Sequence, residues 1–423
     1  MPSTKKIKYW NTQPIDVLLK LQILSMPLVF IIWYLIPGYF PVVLASRMSF
    51  YGADGNCVID GIAFGSHCFG DYGVLINGIQ NVDNVWSDGP GTPYPPFGIL
   101  MMKIFVYMNT QLGPTASLII YLLSLFFAFT FPIWHSTKNF TLMERLQLFC
   151  LSTFIALPFL NTIDRGNNLV WAIPFLYLGI SKLNHKKSFL YLAISIALRP
   201  QLCIFLILLL FSRKYKQFFQ ATLLATTIYL ISFVLKLGRD APKGFLDFLK
   251  ALQGQAAGIP ENWPPNLSMA RGLKTIFELI NFQILDTTII RISLLIVFTL
   301  LIKMILKSNQ FKTSVLAINL VPLIFLIPPM TWYYYGTFLI IIVAIMIRDN
   351  LAMDEISFGN RTAGIVLLTS IWLTFTPLYI PIGSDFANLV QIIVPIMWTL
   401  YYIYIISTPW KTFQRTAQPE TKL

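Results

Sequence analysis

Charge is scarce in this chain: only 12% of its 423 residues are Asp, Glu, Lys or Arg, against about 25% in a soluble globular protein. That shortage excludes a soluble enzyme, and with it a disordered chain, which stays unfolded through charge and low hydrophobicity. Cysteine is scarce too, at 4 residues, so the chain is no secreted disulfide scaffold. Three histidines, His67, His135 and His185, are too few and too scattered for a metal cage. No Walker loop, no nucleotide-binding glycine fingerprint and no Ser-centred nucleophile elbow occurs. A mechanism driven by ATP or a nucleotide sugar gains no support.

What fills the chain is apolar. Hydrophobic residues make up 56%, and the mean hydropathy is +0.67. One core cannot hide that excess; lipid can. The apolar blocks run 18–39, 95–108, 115–134, 146–163, 167–181, 188–212, 217–237, 283–302, 313–329, 332–347, 362–382 and 386–407. Several reach the ~20 residues that a helix needs to cross a bilayer. The expectation is an all-α polytopic membrane protein, one domain over residues 1–423, with about 10–12 transmembrane helices. Lys5, Lys6 and Lys8 precede the first block and no small-residue cleavage site follows it. That block reads as a retained span rather than a signal peptide.

The net charge of +13 comes as clusters between blocks, with no basic domain that would bind nucleic acid. Lys138 with Arg145, Lys182 with Lys186 and Lys187, and Arg213 with Lys214 and Lys216 are examples. Further along lie Lys303, Lys307 and Lys312, then Arg348 with Arg361, then Lys411 with Arg415. Placing all of them in the cytoplasm satisfies the positive-inside rule and puts both termini inside. Block 188–212 then begins and ends inside, although its 25 residues cannot cross twice as full helices. It is expected to be two half-helices, or a re-entrant pair, meeting near Arg199-Pro200. Block 95–108 is too short for a span and is expected to lie at the outer interface, or to dip in and return. Non-helical backbone at membrane depth is tolerated only inside protein or beside a watery cavity. Both irregularities therefore point to a site on the outer side. No internal repeat is visible, which disfavours an inverted-repeat transporter.

By the same parity, residues 40–94 and 238–282 are large outer loops, and loops of that length usually carry function. The first holds Asp54, Asp60, Asp71, Asp83 and Asp88, with Arg47 as its only base. For any one of these, a solvated acidic loop is the plain explanation. Asp71 stands out: Gly70-Asp71-Tyr72-Gly73-Val74-Leu75-Ile76 is followed by Tyr94-Pro95-Pro96-Phe97 at the membrane's edge. A carboxylate there could take a proton from a hydroxyl as general base. Arg165 and Arg199 sit at outer ends of apolar segments, where an ionisable group is costly and so a functional candidate. Arg165 has a simpler use in pairing with the adjacent Asp164. Arg199 lies mid-block before a proline, and its planar fork of donors suits phosphate.

The second loop carries Asn266, Ser268 and Arg271, and its 245–252 stretch is amphipathic enough to lie flat on a membrane. Trp332-Tyr333-Tyr334-Tyr335 is either an interfacial aromatic belt or a set of ring faces for a sugar. Cys57 and Cys68 in the first loop are a candidate disulfide, whereas Cys150 and Cys203 fall in apolar blocks as packing residues. No spacing of ligands is diagnostic of a metal, yet five loop carboxylates leave a divalent ion open.

These motifs, in this order, resemble the GT-C superfamily of polyprenyl-phosphate-sugar-dependent glycosyltransferases, and most of all glycosyltransferase family 87, the bacterial alpha-mannosyl and arabinofuranosyl transferases. Asp71-Tyr72-x-Val74 followed by Tyr94-Pro95-Pro96 is similar to that family's first-loop acid and the start of its next helix. Gly166-Asn167-Asn168 resembles a GQ-x-N stretch with Asn167 in place of Gln, and Arg199-Pro200-Gln201 resembles a Lys-Pro element with Arg for Lys. Asn266-x-Ser268-x-x-Arg271 resembles an NxS loop. Trp332 with Tyr334 and Tyr335 resembles a Trp-x-His-His/Tyr element with Tyr334 in place of the common His.

The resemblance implies a bacterial inner-membrane enzyme with its active site on the outer face. Its partners would be membrane lipid, a polyprenyl-phosphate sugar donor and a glycan or glycolipid acceptor. Asp71, with Asp60 as runner-up, would be the base of an inverting transfer. Arg199 and Arg165 would hold the donor phosphate. Tyr94, Asn168, Gln201, Asn266, Ser268, Arg271, Trp332 and Tyr334 would bind substrate. Two rivals from other classes stay open: a transporter or flippase of lipid-linked or sugar substrates, and a non-catalytic subunit of an envelope-polysaccharide complex. An O-antigen ligase or polymerase would share the carrier chemistry but has no family signal in this sequence.

Overall fold

The computed structural model describes residues 14–35, 57–59, 62–65, 69–81, 86, 94–153, 156–256, 266–307, 311–328, 331–376, 381–382 and 387–407. These residues are almost entirely helical. Their strands are two short antiparallel pairs, Cys57–Ile59 with Ile62–Gly65 and Pro381–Ile382 with Ala387–Asn388.

Three helical stretches among the described residues are long and apolar enough to cross a membrane: Pro114–Ser136, Tyr215–Leu252 and Asp286–Leu306. Each carries large apolar side chains on a face that the described residues leave uncovered. Phe127, Leu223, Leu295 and Phe298 are all exposed. In water each would cost about 1.5–3 kcal/mol relative to burial, a cost that a hydrocarbon surrounding removes. Shorter apolar helices accompany them, at Asn168–Ser181, Ser188–Leu198, Pro200–Phe211, Thr313–Leu326, Arg361–Phe375 and Ile392–Ser407. Of the about 10–12 transmembrane helices expected, three of crossing length are seen among the described residues, with shorter apolar helices beside them. Proline accounts for several of the breaks, since it lacks an N–H and disfavours helix at the residue before it. Pro158, Pro200 and Pro322 each stand at the start of a short helix. The first span also begins earlier than expected, at Pro14–Leu35.

Block 188–212 breaks where its sequence indicates. Helix Ser188–Leu198 stops at Arg199, whose extended backbone (φ −146°, ψ 97°) leads into a 3-10 turn over Pro200–Phe205 and then helix Leu206–Phe211. Block 95–108 does not turn back on itself. It is one helix, Pro96–Leu112, that ends at Gly113 and passes directly into Pro114–Ser136. It packs against helices Pro114–Ser136, Tyr215–Leu237 and Gly70–Asn81. Ser117 Oγ donates to the Phe105 carbonyl, the Phe105 ring stacks on Trp171, and Lys103 Nζ reaches the Leu235 carbonyl.

The stretch Tyr215–Leu252 changes direction at Gly238, where φ is +56°. Helix Ala241–Ala256 folds back so that Phe245 meets Phe233 and Phe248 meets Tyr229. As the amphipathic pattern predicts, Phe248 and Ala251 are buried while Leu246, Leu249 and Leu252 are exposed. In the carboxyl-terminal half, Asn319 ties helix Thr313–Leu320 to its surroundings. It donates to the carbonyls of Val315 and Ile356 and accepts from Tyr401, while its own carbonyl accepts from Tyr402. Cys203, expected as a packing residue, is exposed instead.

Candidate functional site

The site forms where helix Gly70–Asn81 begins. Asp71 lies in its first turn, where the exposed N–H groups and the helix dipole favour a negative charge. The backbone fixes where that turn sits. Phe69, at φ +57°, donates its N–H to the Asp164 carbonyl at 2.8 Å, tying the helix start to the end of helix Leu157–Arg165.

Gly166 caps that second helix in the left-handed region, at φ +66°. A Cβ there would lie 2.9 Å from Tyr72 Cβ and 3.4 Å from Phe69 Cβ, so only glycine permits the approach. Two side chains of helix Pro114–Ser136, Tyr121 and Ser117, brace the junction. Tyr121 donates its hydroxyl to the Gly166 carbonyl at 2.7 Å, and Tyr72 and Ser117 share a hydrogen bond of 2.8 Å.

The ion pair expected between Arg165 and its neighbour Asp164 is not the one that forms. Arg165 reaches Asp71, 94 residues away, in a bidentate pair: Nη2 to Oδ1 at 2.7 Å and Nε to Oδ1 and Oδ2 at 3.1 and 3.2 Å. Tyr94 donates its hydroxyl to Asp71 Oδ2 at 2.7 Å. Burial, with the Asp71 charge beside it, pushes the Tyr94 phenol well above its ordinary range. Tyr94 is therefore a donor that stays protonated.

Asn167 connects the carboxylate to the second guanidinium. Its Nδ2 donates to Asp71 Oδ2 at 2.8 Å and to the Tyr94 oxygen at 2.6 Å. Its Oδ1 accepts from Leu169 N–H at 3.0 Å and from Arg199 Nη2 at 3.1 Å. Two donors and two acceptor positions are all used, which fixes the amide's orientation. Arg199 Nη2 also donates to Asn168 Oδ1 at 2.7 Å, and its guanidinium stands 5.2 Å from the Tyr94 ring centre. Arg199 is 5% exposed and has no carboxylate partner among the described residues. Asn168 Nδ2 is buried without a hydrogen-bond partner. Counting Asp71, Arg165 and Arg199, the cluster holds one negative and two positive groups.

An aromatic shelf borders the ion pair. The Arg165 guanidinium lies 5.4 Å from the Trp332 ring centre. Trp332 stacks with Tyr334 at 6.2 Å and 8° between planes, and Tyr334 with Tyr335 at 5.3 Å and 26°. Tyr334 is buried, so this group is packed against the site rather than arranged as a surface belt.

Asp71, Tyr94, Arg165, Asn168, Arg199, Trp332 and Tyr334, singled out in the sequence, are thus gathered around one point. No known protein family matches the chain, and no curated protein is similar enough to count as a relative. The cluster therefore rests on its geometry.

Other expected residues fall elsewhere or do other work. Asn266 and Ser268 are structural. Asn266 Oδ1 accepts from Ser268 N–H and Thr331 N–H, pinning the loop to the segment before Trp332. Ser268 caps helix Met269–Leu279 by accepting from the Arg271 N–H. The serine cap is ordinary helix-start chemistry, and the Asn266 side chain closes the turn before it. Arg271 is half-buried with Nη1 buried and unpartnered, and Gln201 is half-buried in the 3-10 turn without a side-chain hydrogen bond. Asp60 and Cys68 lie outside the described residues, as does any pairing of Cys57 with Cys68. No group of three metal-ligating side chains occurs among the described residues.

Asn167 is the residue whose importance sequence reading undervalued. A neutral amide in a short polar run gives no charge or spacing signal.

Proposed function

We propose that the chain is a membrane glycosyltransferase of the GT-C kind. It transfers a hexose or pentose from a polyprenyl-phosphate carrier to a hydroxyl of a glycan or glycolipid. The reaction takes place at the outer face of a bacterial cytoplasmic membrane, with both termini inside. One observation carries this reading: a carboxylate and two guanidiniums converge in a buried cluster, with positive charge in excess, in a helical chain whose longest helices suit a bilayer.

In this reading Asp71 accepts the proton of the acceptor hydroxyl as the acceptor oxygen bonds to the anomeric carbon. The bond from that carbon to the phosphate oxygen breaks, and the polyprenyl monophosphate leaves with the electron pair. Configuration inverts, and the proton on Asp71 passes to solvent. Arg199, which lacks a carboxylate partner, and the unpartnered Asn168 Nδ2 supply donors for the leaving phosphate. Preorganised donors of this kind act most strongly where water is excluded. The Trp332, Tyr334 and Tyr335 rings offer apolar faces on which a sugar can rest.

The test is transfer of radiolabelled sugar from purified polyprenyl-phosphate sugars by the full chain in nanodiscs. Asp71→Asn is expected to abolish transfer while the protein still elutes as a folded species. Wild-type turnover by that variant overturns the assignment. Mass spectrometry of envelope glycans and lipid-linked sugars from a deletion strain identifies donor and product together.

A further inference from the structure

Asp71 as the structure holds it has no lone pair left for an acceptor hydroxyl. A carboxylate offers about four acceptor positions. Arg165 fills Oδ1 with Nη2 and Nε, the same Nε–H reaching Oδ2 only as a longer second contact, and Tyr94 and Asn167 fill the two positions of Oδ2. A base must lie within hydrogen-bond reach of the proton it removes, so one of these three partners has to leave before Asp71 can act.

Asn167 is anchored by Leu169 N–H and by Arg199, and moving it would break both bonds. Tyr94 is held from behind, where Trp86 Nε1 donates to its carbonyl and Arg199 lies against its ring. Arg165 projects from the last turn of its helix, its side chain is 16% exposed, and the Trp332 face lies beside it. It is the partner with somewhere to go. It does not leave unprompted, because separating it from Asp71 breaks a bidentate, charge-assisted pair. A phosphate arriving at Arg199 reverses that balance, since its oxygens match a guanidinium fork as well as a carboxylate does.

We propose that Arg165 is an exchangeable positioning residue. It holds Asp71 at rest and transfers to the phosphate of the arriving donor, so that donor binding is what frees the carboxylate. The inference rests on the glycosyl-transfer reading and adds an order to it: donor first, acceptor second. The device also keeps Asp71 from activating water or an acceptor when no donor is present. In energetic terms, the ligand shifts the equilibrium by its differential affinity for the two Arg165 positions.

The test reads the exposure of the Asp71 carboxyl directly. The full-length chain in nanodiscs is treated with a carboxyl-esterifying diazo reagent, and the Asp71 peptide is quantified by mass spectrometry. The measurement is made without ligand, with farnesyl monophosphate and with inorganic phosphate. Native mass spectrometry of the same samples reports binding.

Wild-type protein is expected to label weakly alone and several-fold more with farnesyl monophosphate. Arg165→Gln is expected to label strongly throughout, with no response to ligand. A purely structural Arg165 would produce no ligand-dependent change in the wild type. If Arg165→Gln does not fold, Arg165→Lys serves, because it keeps the charge but loses the bidentate fork. It is expected to label at an elevated level without ligand. An equal rise with inorganic phosphate supports the exchange and assigns it to the phosphate group rather than the lipid tail. Farnesyl monophosphate that binds without raising Asp71 labelling overturns the exchange and leaves the glycosyl-transfer reading standing. Failure of farnesyl monophosphate to bind overturns both.

Discussion

Asn167 accepts a hydrogen bond from Arg199 across 32 residues of chain, at 3.1 Å, with the same amide that donates to Asp71. A neutral side chain thus sets the spacing between the cluster's carboxylate and its second guanidinium. The amide can do this because it donates at one end and accepts at the other, and neither charged group could be replaced at that place without repulsion.

Removing that link should be costly. Asn167→Leu keeps the branched shape but removes one hydrogen bond each from Arg199 Nη2 and the Asp71 carboxylate, and hydrogen bonds to charged groups are worth about 1.5–3 kcal/mol each. The expected outcome is a lowered unfolding temperature in detergent together with loss of sugar transfer. Unchanged values of both would show that Asn167 is not the connector.

Two glycines should respond to alanine with opposite signs. Gly166→Ala places a Cβ 2.9 Å from Tyr72 in a left-handed backbone, and the conformation alone costs about 1–2 kcal/mol. Gly73, inside helix Gly70–Asn81, has nothing within 4 Å of the added carbon. Alanine there should stabilise by roughly 0.5–1 kcal/mol through helix propensity. Thermal unfolding of the two variants checks both signs at once.

Tyr94→Phe removes one donor from Asp71 and leaves the ring against Arg199. A hydrogen bond to a charged group contributes about 1.5–3 kcal/mol. Transfer is therefore expected to fall roughly tenfold to a hundredfold, with a lowered unfolding temperature. A null effect on rate would place Tyr94 outside the machinery.

The opposite end of the molecule supplies a pH prediction. Burial raises the Glu355 carboxyl, but the Ala352 N–H and Lys312, at 2.8 Å each, lower it by more, so the net shift is below its ordinary 4.5. A depressed carboxylate contributes stability that is fully present above 4.5 and lost as pH falls through the folded value. The pair is partly exposed, so the effect is small and screened by salt. The unfolding-temperature difference between wild type and Glu355→Gln should be present at neutral pH and disappear in acid. A difference that persists unchanged in acid would contradict the shift.

Much of this was legible in the chain. The lipid-facing composition, the break before Pro200 and the short list of charged residues at segment ends all follow from local physics. A proline constrains its predecessor wherever it occurs, and a charge beside an apolar block is costly in any fold. Asp71, Arg165 and Arg199 were visible for that reason. The same local reading offered Asp164 or an interfacial anchoring role as the plain use of Arg165, because adjacency says nothing about which side chains meet.

By itself, then, the sequence determined that the chain is helical, apolar and sparing with charge, and which few ionisable residues carry interest. Tertiary structure decided that Arg165 grips Asp71, that Asn167 links Asp71 to Arg199, and that residues 95–108 belong to one helix, Pro96–Leu112, rather than a segment that dips in and returns. The physical reason is range. Propensity, hydropathy and proline act within a few residues, whereas a hydrogen bond spanning 94 positions exists only once packing has brought its two ends together.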